Sequence, residues 1–285
     1  MSSPSPLRRS LHAPRNGVRT ALLVVALAVV SALFLLPFVW MLSTSFRTQG
    51  DLAAHPLTLI PQAFTLENYA NVWQKIPFGR QFLNTAIFAG TVTIISVALD
   101  AMAGYAFARF DFPAKNMLFV VVLVTLMVPI QVTFIPLYSV LVDLGWVNTF
   151  QGLIVPRIAD AFGIFFFRQF FLGLPKDLED AGRVDGAGEF RIFARIMLPL
   201  AAPAVLTIAM FNLIANWNDL LWPLMVTTSP DMQTLPAGLA LFRGEHVTDY
   251  GLLMAGSVLA LLPMVIAFLL VQRRFIEGIA TSGMK

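Results

Sequence analysis

Two stretches of this chain hold side chains whose types and spacing could do chemistry. The first, PKDLEDAGRVDGAGEFRIFARIMLP (175–199), sets nine charged residues between Lys176 and Arg195, although the whole protein has only 19 basic and 16 acidic residues. Acids and bases at that density, punctuated by glycines, suit ion pairing and the gripping of a partner. The second, NLIANWNDLLWPL (212–224), places Asn216, Asn218 and Asp219 beside Trp217 and Trp222. Amides and carboxylates hydrogen-bond hydroxyls, and indole faces stack on apolar ring faces, so this set suits a hydroxyl-rich ligand such as a sugar. Hydrogen bonding between packed helices is the structural alternative. A smaller set, Arg157 and Asp160, lies three apart in an apolar run, where the two can pair on one helical face or contact a neighbouring subunit, lining the ligand path being the alternative.

Several chemistries are excluded. There is no cysteine, hence no disulfide, thiolate metal site or thiol nucleophile. No GK[ST] occurs, so the chain has no Walker A phosphate cradle. His12, His55 and His246 are scattered over a tail and two loops without metal-ligand spacing, and GAG at 186–188 follows no expected strand. The net charge of +3 does not point to nucleic acid, because the basic residues sit mostly beside apolar runs.

These sets must be positioned by membrane helices. Only 12% of residues are charged and 58% are apolar, against about 25% charged in a soluble domain. Uncharged runs at 20–46, 81–99, 116–142, 196–218 and 250–272 each reach the roughly 20 residues a helix needs to cross the hydrocarbon. A sixth region, 149–171, is interrupted by Arg157 and Asp160. Counting it as a span with the N-terminus inside puts fourteen Lys and Arg inside and four outside; omitting it gives seven inside and twelve outside. The positive-inside bias selects the first arrangement. The expectation is an all-α polytopic membrane protein with both termini cytoplasmic. A tail at 1–19 precedes a transmembrane domain at 20–285, with spans near 20–43, 81–108, 116–140, 149–171, 199–227 and 250–272. The tail lacks a cleavage-site pattern and leads into an uncleaved first span.

The charged stretch then joins spans four and five inside, as a loop at 173–198. Pro175 suits a first helical turn. Leu174, Leu178 and Ala181 make an apolar stripe, and Gly186 and Gly188 let the backbone turn. Phe190, Phe193, Ala194 and Met197 share a face opposite Arg191 and Arg195. Two short helices meeting at a glycine elbow are expected, with interfacial helices resting on headgroups as the bland alternative. Outside, TLENY (65–69) is expected to open a short helix capped by Thr65. Asp100 is expected to play a structural part near the inner end of span two, and Pro129, Pro136 and Pro263 to bend spans three and six.

The spacing of DAG (180–182), Gly186 and IMLP (196–199) resembles the EAA loop of binding-protein-dependent ABC transporter permeases. TSFRT, TLENYANVW, GYAFARFDFPAKN, MVPIQVTFIPLYSVLVDLGWVNT, WNDLLWPL, LMAGSVLALLPMVIAFLLVQRRFIEGI and SGMK, in that order, resemble the carbohydrate-uptake branch over residues 40–285. The resemblance implies a type I ABC importer permease fold and alternating access, with this chain a non-catalytic subunit. It implies a homologous permease partner, two cytoplasmic ATPase subunits that hold ATP and Mg, and an extracytoplasmic sugar-binding protein. It further implies that Glu179, Asp180, Ala181, Gly182, Asp185, Gly186, Phe190, Phe193, Ile196, Leu198 and Pro199 couple the chain to the ATPase. Asp180 and Gly182 depart from the motif's Glu and second Ala. By the same resemblance, LPAGLALF in the 228–249 loop reaches into the binding protein's cleft, a helical cap being the alternative. The maltose system, where the larger partner subunit holds the sugar, tempers the reading of 212–224. Two other classes stay open on the residues alone. An ion-coupled secondary transporter needs a midplane carboxylate, for which Asp160 and Asp219 are candidates, and inverted repeats, which are not evident. An intramembrane enzyme needs a nucleophile with its base, and none is evident.

Overall fold

The computed structural model describes residues 17–56, 58–244 and 248–282. The tail up to Asn16, His12, His246 and the closing 283–285 lie outside the described residues. Among those described, helices are the only regular elements beyond two isolated bridges, Arg47 with Phe64 and Arg243 with Thr248. In hydrocarbon no water can satisfy a backbone N–H or C=O, and a helix closes these bonds within itself.

Span one is α1 (Gly17–Ser45), apolar all round and exposed along nearly its whole length, packed along α15 (Tyr250–Ser282), the sixth span, with its last residue bonded to Asn68 and Tyr69. At the end of α1, α2 (Gln49–Ala54) and α3 (Glu67–Lys75) fold over the bundle. Leu66, not Thr65, occupies the cap position of α3, although the Thr65 hydroxyl still accepts from Glu67 N at 3.1 Å. Arg47 is fully buried beneath this cap. It donates to Asp51 Oδ2 at 2.8 Å and to the carbonyls of Thr58 and His55 at 2.9 and 2.6 Å.

Span two, α4 (Phe78–Arg109), is the central rod and the most deeply packed. Its approach to span four is close. A Cβ on Gly104 would lie 2.6 Å from Phe167 Cβ and 2.8 Å from Arg168 N, so only glycine lets the two backbones meet there.

Three expected rods are broken. Span three divides into α5 (Lys115–Thr125) and α6 (Ile130–Asp143), bent by 98°. Pro129 lacks an N–H and its ring would strike the Thr125 carbonyl four residues back. Span four divides into α7 (Phe150–Ile154), a 3-10 turn (Val155–Arg157) containing Pro156, and α8 (Ala161–Leu172). The charged arm consists of α9 (Asp177–Val184), then α10 (Glu189–Ile192), a π turn (Phe193–Met197) and α11 (Leu198–Leu200). Span five begins only at α12 (Ala202–Trp217), bent 78° from that arm, and resumes after residues 218–220 as α13 (Leu221–Val226). Pro223 explains the second break, since its ring would collide with the carbonyl of Asp219. Four helical stretches are long and apolar enough to cross a membrane, six with each bent pair taken as one crossing.

Apolar side chains gather at both ends of the bundle and between them. Tyr105, Phe167, Phe171, Ile192, Phe193 and Met197 pack at the arm end. Phe88, Leu141, Leu153, Trp222 and Val226 form a second cluster. At the far end, α14 (Leu235–Ala240) buries Leu235, Ala237 and Leu239, with Phe242, against Val72, Phe78 and Leu252. The LPAGLALF segment is therefore largely core, a helical cap; Leu241 is its exposed large side chain.

Candidate functional site

The arm is built by its own charges. α9 opens with Asp177, Glu179 and Asp180 in its first turn and carries Arg183 in its last, the signs that complement a helix dipole. Pro175 precedes the capping residue Lys176 and so lies just outside the helix, not in its first turn. The helix stops at Gly186. There φ is +77°, Gly186 N donates to the Arg183 carbonyl and Ala187 N to the Gly182 carbonyl, both at 3.0 Å. That is the paired closure of a Schellman turn, which needs a residue free to enter the left-handed region. Gly188 has φ −71° and makes no such demand; only one of the two elbow glycines is needed for the turn.

The inward face of α9 is also different from the expected stripe. Leu178 and Ala181 are exposed, while Glu179 and Gly182 are buried. Gly182 faces Ile192 and Ile196, whose side chains would lie 3.2 and 3.0 Å from a Cβ there. Glycine in place of the motif's alanine thus brings the two halves of the elbow together. Glu179 turns inward to Arg109, the last residue of span two, with Oε1 2.6 Å from Nε and both side chains 2% exposed. Arg109 Nη2 also donates to the Leu174 carbonyl at 2.8 Å.

Arg183 gathers the remaining acids. It donates through Nε and Nη2 to the two Glu189 oxygens at 2.7 and 3.1 Å and through Nη1 to Asp180 at 2.8 Å. The Glu189 hydrogen bonds raise the Arg183 pKa above its ordinary value, and Arg183 holds Glu189 below its own. The arm has four of its nine charges, Glu179, Asp180, Arg183 and Glu189, paired. What it offers outward is Val184, Phe190, Asp180, Asp185, Arg191 and Arg195, with Val184 88% and Phe190 74% exposed. Phe190 and Phe193 remain adjacent, ring centroids 6.4 Å apart, but only Phe193 is buried. The π turn carries Phe193 inward onto Tyr105 and Phe171, Met197 follows it, Ile196 and Leu198 pack on the same cluster, and Pro199 is exposed.

At the breaks of spans four and five lies a cleft of about 440 Å³ lined by Arg157, Asp160, Phe211, Asn212 and Asn216, among others. The expected Arg157–Asp160 pair does not form, because the chain between them is not helical. Asp160 is extended and its carboxylate accepts from Phe162 N at 3.3 Å, capping α8. Arg157 instead donates to Asp219 Oδ2 at 2.7 Å, bridging the two breaks. Asp219 Oδ1 accepts from Trp222 N at 3.2 Å, holding the start of α13.

Neither tryptophan faces the cleft. Trp222 is fully buried and donates to the Leu153 carbonyl at 3.0 Å; Trp217 donates to the Ala260 carbonyl at 3.1 Å. Asn218 lines a separate, apolar cavity of about 720 Å³ between α1, α14 and α15. Of the seven residues expected along a ligand path, Arg157, Asp160 and Asn216 line this cleft and Asp219 supports it through Arg157.

Of the network beneath, sequence reasoning singled out Asp100 alone. Asp100 accepts from Ser96 at 2.8 Å and from Asp160 N at 3.0 Å, so its part is structural. Asn212 Nδ2 donates to Ser96 Oγ at 3.2 Å, and Asn212 Oδ1 accepts from Asn216 Nδ2 at 2.7 Å. The signal was the i,i+4 spacing of Ser96 with Asp100 and of Asn212 with Asn216, which puts each pair on one helix face. Arg109 was counted only as a topology charge, and nothing in its local sequence marks its partner, 70 residues away.

The family described as binding-protein-dependent transport system inner membrane component matches residues 100–280. An arabinooligosaccharide transport system permease, AraQ of Halalkalibacterium halodurans, is 38% identical over 93% of this chain and 96% of its own length. A diacetylchitobiose uptake permease, NgcG of Streptomyces coelicolor, is 36% identical over 89% of this chain and 84% of its own. An sn-glycerol-3-phosphate permease, UgpE of Shigella flexneri, is 34% identical over 92% and 94%. Among solved structures, a chain of a bacterial ABC transporter that imports alginate aligns with TM-score 0.81 at 20% identity, covering 93% of this chain and 99% of that one. The glycine elbow, the six apolar crossings and these matches agree: the chain belongs to the binding-protein-dependent transport system inner membrane components, the non-catalytic multi-pass permease subunits of ABC importers.

Proposed function

We propose that this permease carries a sugar, forming half of its pathway within a transmembrane domain at 20–285 preceded by a tail at 1–19, with both termini cytoplasmic. It pairs with a homologous permease, receives its cargo from an extracytoplasmic binding protein, and is driven by two ATPase subunits that hold ATP and Mg. The loop at 173–198 docks the ATPase through Asp180, Asp185, Val184 and Phe190, while Gly182, Gly186, Phe193, Ile196, Leu198 and Pro199 set its shape. The observation that carries this reading is the exposed, ionically braced elbow presenting two large apolar side chains. Apolar anchors ringed by charge suit a protein partner.

For the cargo, the relatives named above include oligosaccharide and glycerol phosphate permeases. The cleft favours the former. Its guanidinium is already neutralised by Asp219 and Asp160 adds a carboxylate, so no free positive charge awaits a phosphate. Asn212 and Asn216 suit hydroxyls. The test is purification of the tagged chain from its native membrane, followed by reconstitution with what accompanies it. An ATPase and a second permease should co-purify, and ATP should drive uptake of a neutral oligosaccharide. Uptake that runs on an ion gradient without ATP would overturn the reading.

A further inference from the structure

Resting on the coupling just proposed, we infer that Arg109 and Glu179 are the joint through which the arm moves span two, and that span two carries the motion to the cleft. The two side chains are 2% exposed, in contact at 2.6 Å, and join different elements. Their neighbours make the joint stiff on both sides. On the arm, Glu179 belongs to the cluster held by Arg183, whose Nη2 lies 3.6 Å away and which also ties Asp180 and Glu189. On the membrane side, Arg109 ends a 32-residue helix and holds the Leu174 carbonyl, where span four leaves the bundle.

Nine residues earlier on that helix, Asp100 receives Asp160 N, at the break of span four. One turn before that, Ser96 receives Asn212 Nδ2 from span five. At 1.5 Å per residue the joint and the Asp100 attachment are roughly 13 Å apart on one rod. The close approach at Gly104 obliges α8 to move with α4. A displacement of the elbow is thus delivered to the break of span four and to α12 of span five, which flank the cleft, through packed contacts of the kind that coupling between sites requires.

Neither residue touches the cleft or belongs to the arm's outward surface, so both are positioning residues. The absence of cysteine permits a clean reporter, Ala215→Cys, on the cleft wall. Its labelling by a membrane-impermeant maleimide is followed in the assembled complex, with and without ATP, Mg and vanadate. In the otherwise unaltered chain ATP should change the labelling rate at least severalfold. The apolar pair Arg109→Met with Glu179→Leu leaves no unpaired buried charge. It should still bind and hydrolyse ATP through the associated subunits, yet label at a rate that ignores ATP. The exchanged pair Arg109→Glu with Glu179→Arg should regain the ATP response that either single change abolishes. An unaltered ATP response in the apolar pair, or no recovery in the exchanged pair, overturns the assignment. Failure of the reporter to respond in the unaltered chain, or absence of any ATPase, would instead overturn the coupling reading itself.

Discussion

The ion pair across the two broken spans allows a worked prediction. Arg157 and Asp219 meet at 2.7 Å with side chains 19% and 14% exposed. A fully exposed pair contributes about 0–1 kcal/mol, whereas removing one partner of a buried pair costs about 3–5 kcal/mol. These side chains lie nearer the buried limit, but the cleft beside them admits water. Asp219→Asn removes the charge while an amide oxygen can still accept from Trp222 N, so it isolates the ion pair from the start of α13. We expect it to destabilise the folded chain by about 2 kcal/mol, and Asp219→Ala by about 1 kcal/mol more through loss of the hydrogen bond from Trp222 N. Arg157→Met alone strands the carboxylate and costs a similar amount. The double change Arg157→Met with Asp219→Asn leaves no charge unpaired and should cost only about 1 kcal/mol, an interaction of about 3 kcal/mol. Equilibrium unfolding in detergent, read by tryptophan fluorescence, measures all four corners of the cycle. An interaction below about 0.5 kcal/mol, the ordinary limit of additivity, would refute the claim that this pair joins the breaks.

Three further outcomes follow from single positions. Gly104→Ala places a methyl against Phe167 Cβ and the Arg168 backbone and should destabilise by about 2–3 kcal/mol; an unchanged unfolding midpoint would contradict the packing. Gly186→Val forces a β-branched residue to φ +77°, costing about 1–2 kcal/mol. The variant should insert normally but retain severalfold less ATPase on purification, whereas full retention would count against the elbow. Asp51 is held at about 2 by the Arg47 hydrogen bond, below its ordinary 3.8. The unfolded segment therefore binds the proton more readily, so this contribution to the cap is complete above the ordinary value and lost as pH falls through about 2. Limited proteolysis of the 47–76 region should accelerate over that fall, and Asp51→Asn should remove the dependence.

The crossings were legible because hydrocarbon imposes a length and forbids charge, a demand every residue in a run must meet. The elbow was legible for a similar reason: its glycine, acids and bases are local. Less legible was which face turns inward. Glu179 looks like one more solvated acid beside Leu178, yet the leucine is exposed and the acid buried, because its partner Arg109 belongs to another span. Pro129, Pro156 and Pro223 were visible, but that they break spans three, four and five depends on where the chain can satisfy the groups released. Asp160 caps one new end, Asp219 just ahead of another accepts from Trp222 N, and a helix uninterrupted on paper pairs Arg157 with the wrong acid. The tryptophans of 212–224 suggested a stacking platform. Their N–H groups found carbonyls on neighbouring helices, a choice no local pattern records.

The central claim, that the 176–199 elbow is a cytosolic handle for a nucleotide-driven partner, is most directly tested at Phe190. With Phe190→Cys as the single thiol of the chain, a short bifunctional reagent should join it to an ATPase subunit in the assembled complex, and label it from the cytosolic side of sealed vesicles. A thiol reachable only from the opposite side of the membrane, or one that cross-links to no ATPase in a complex competent for uptake, would contradict the account.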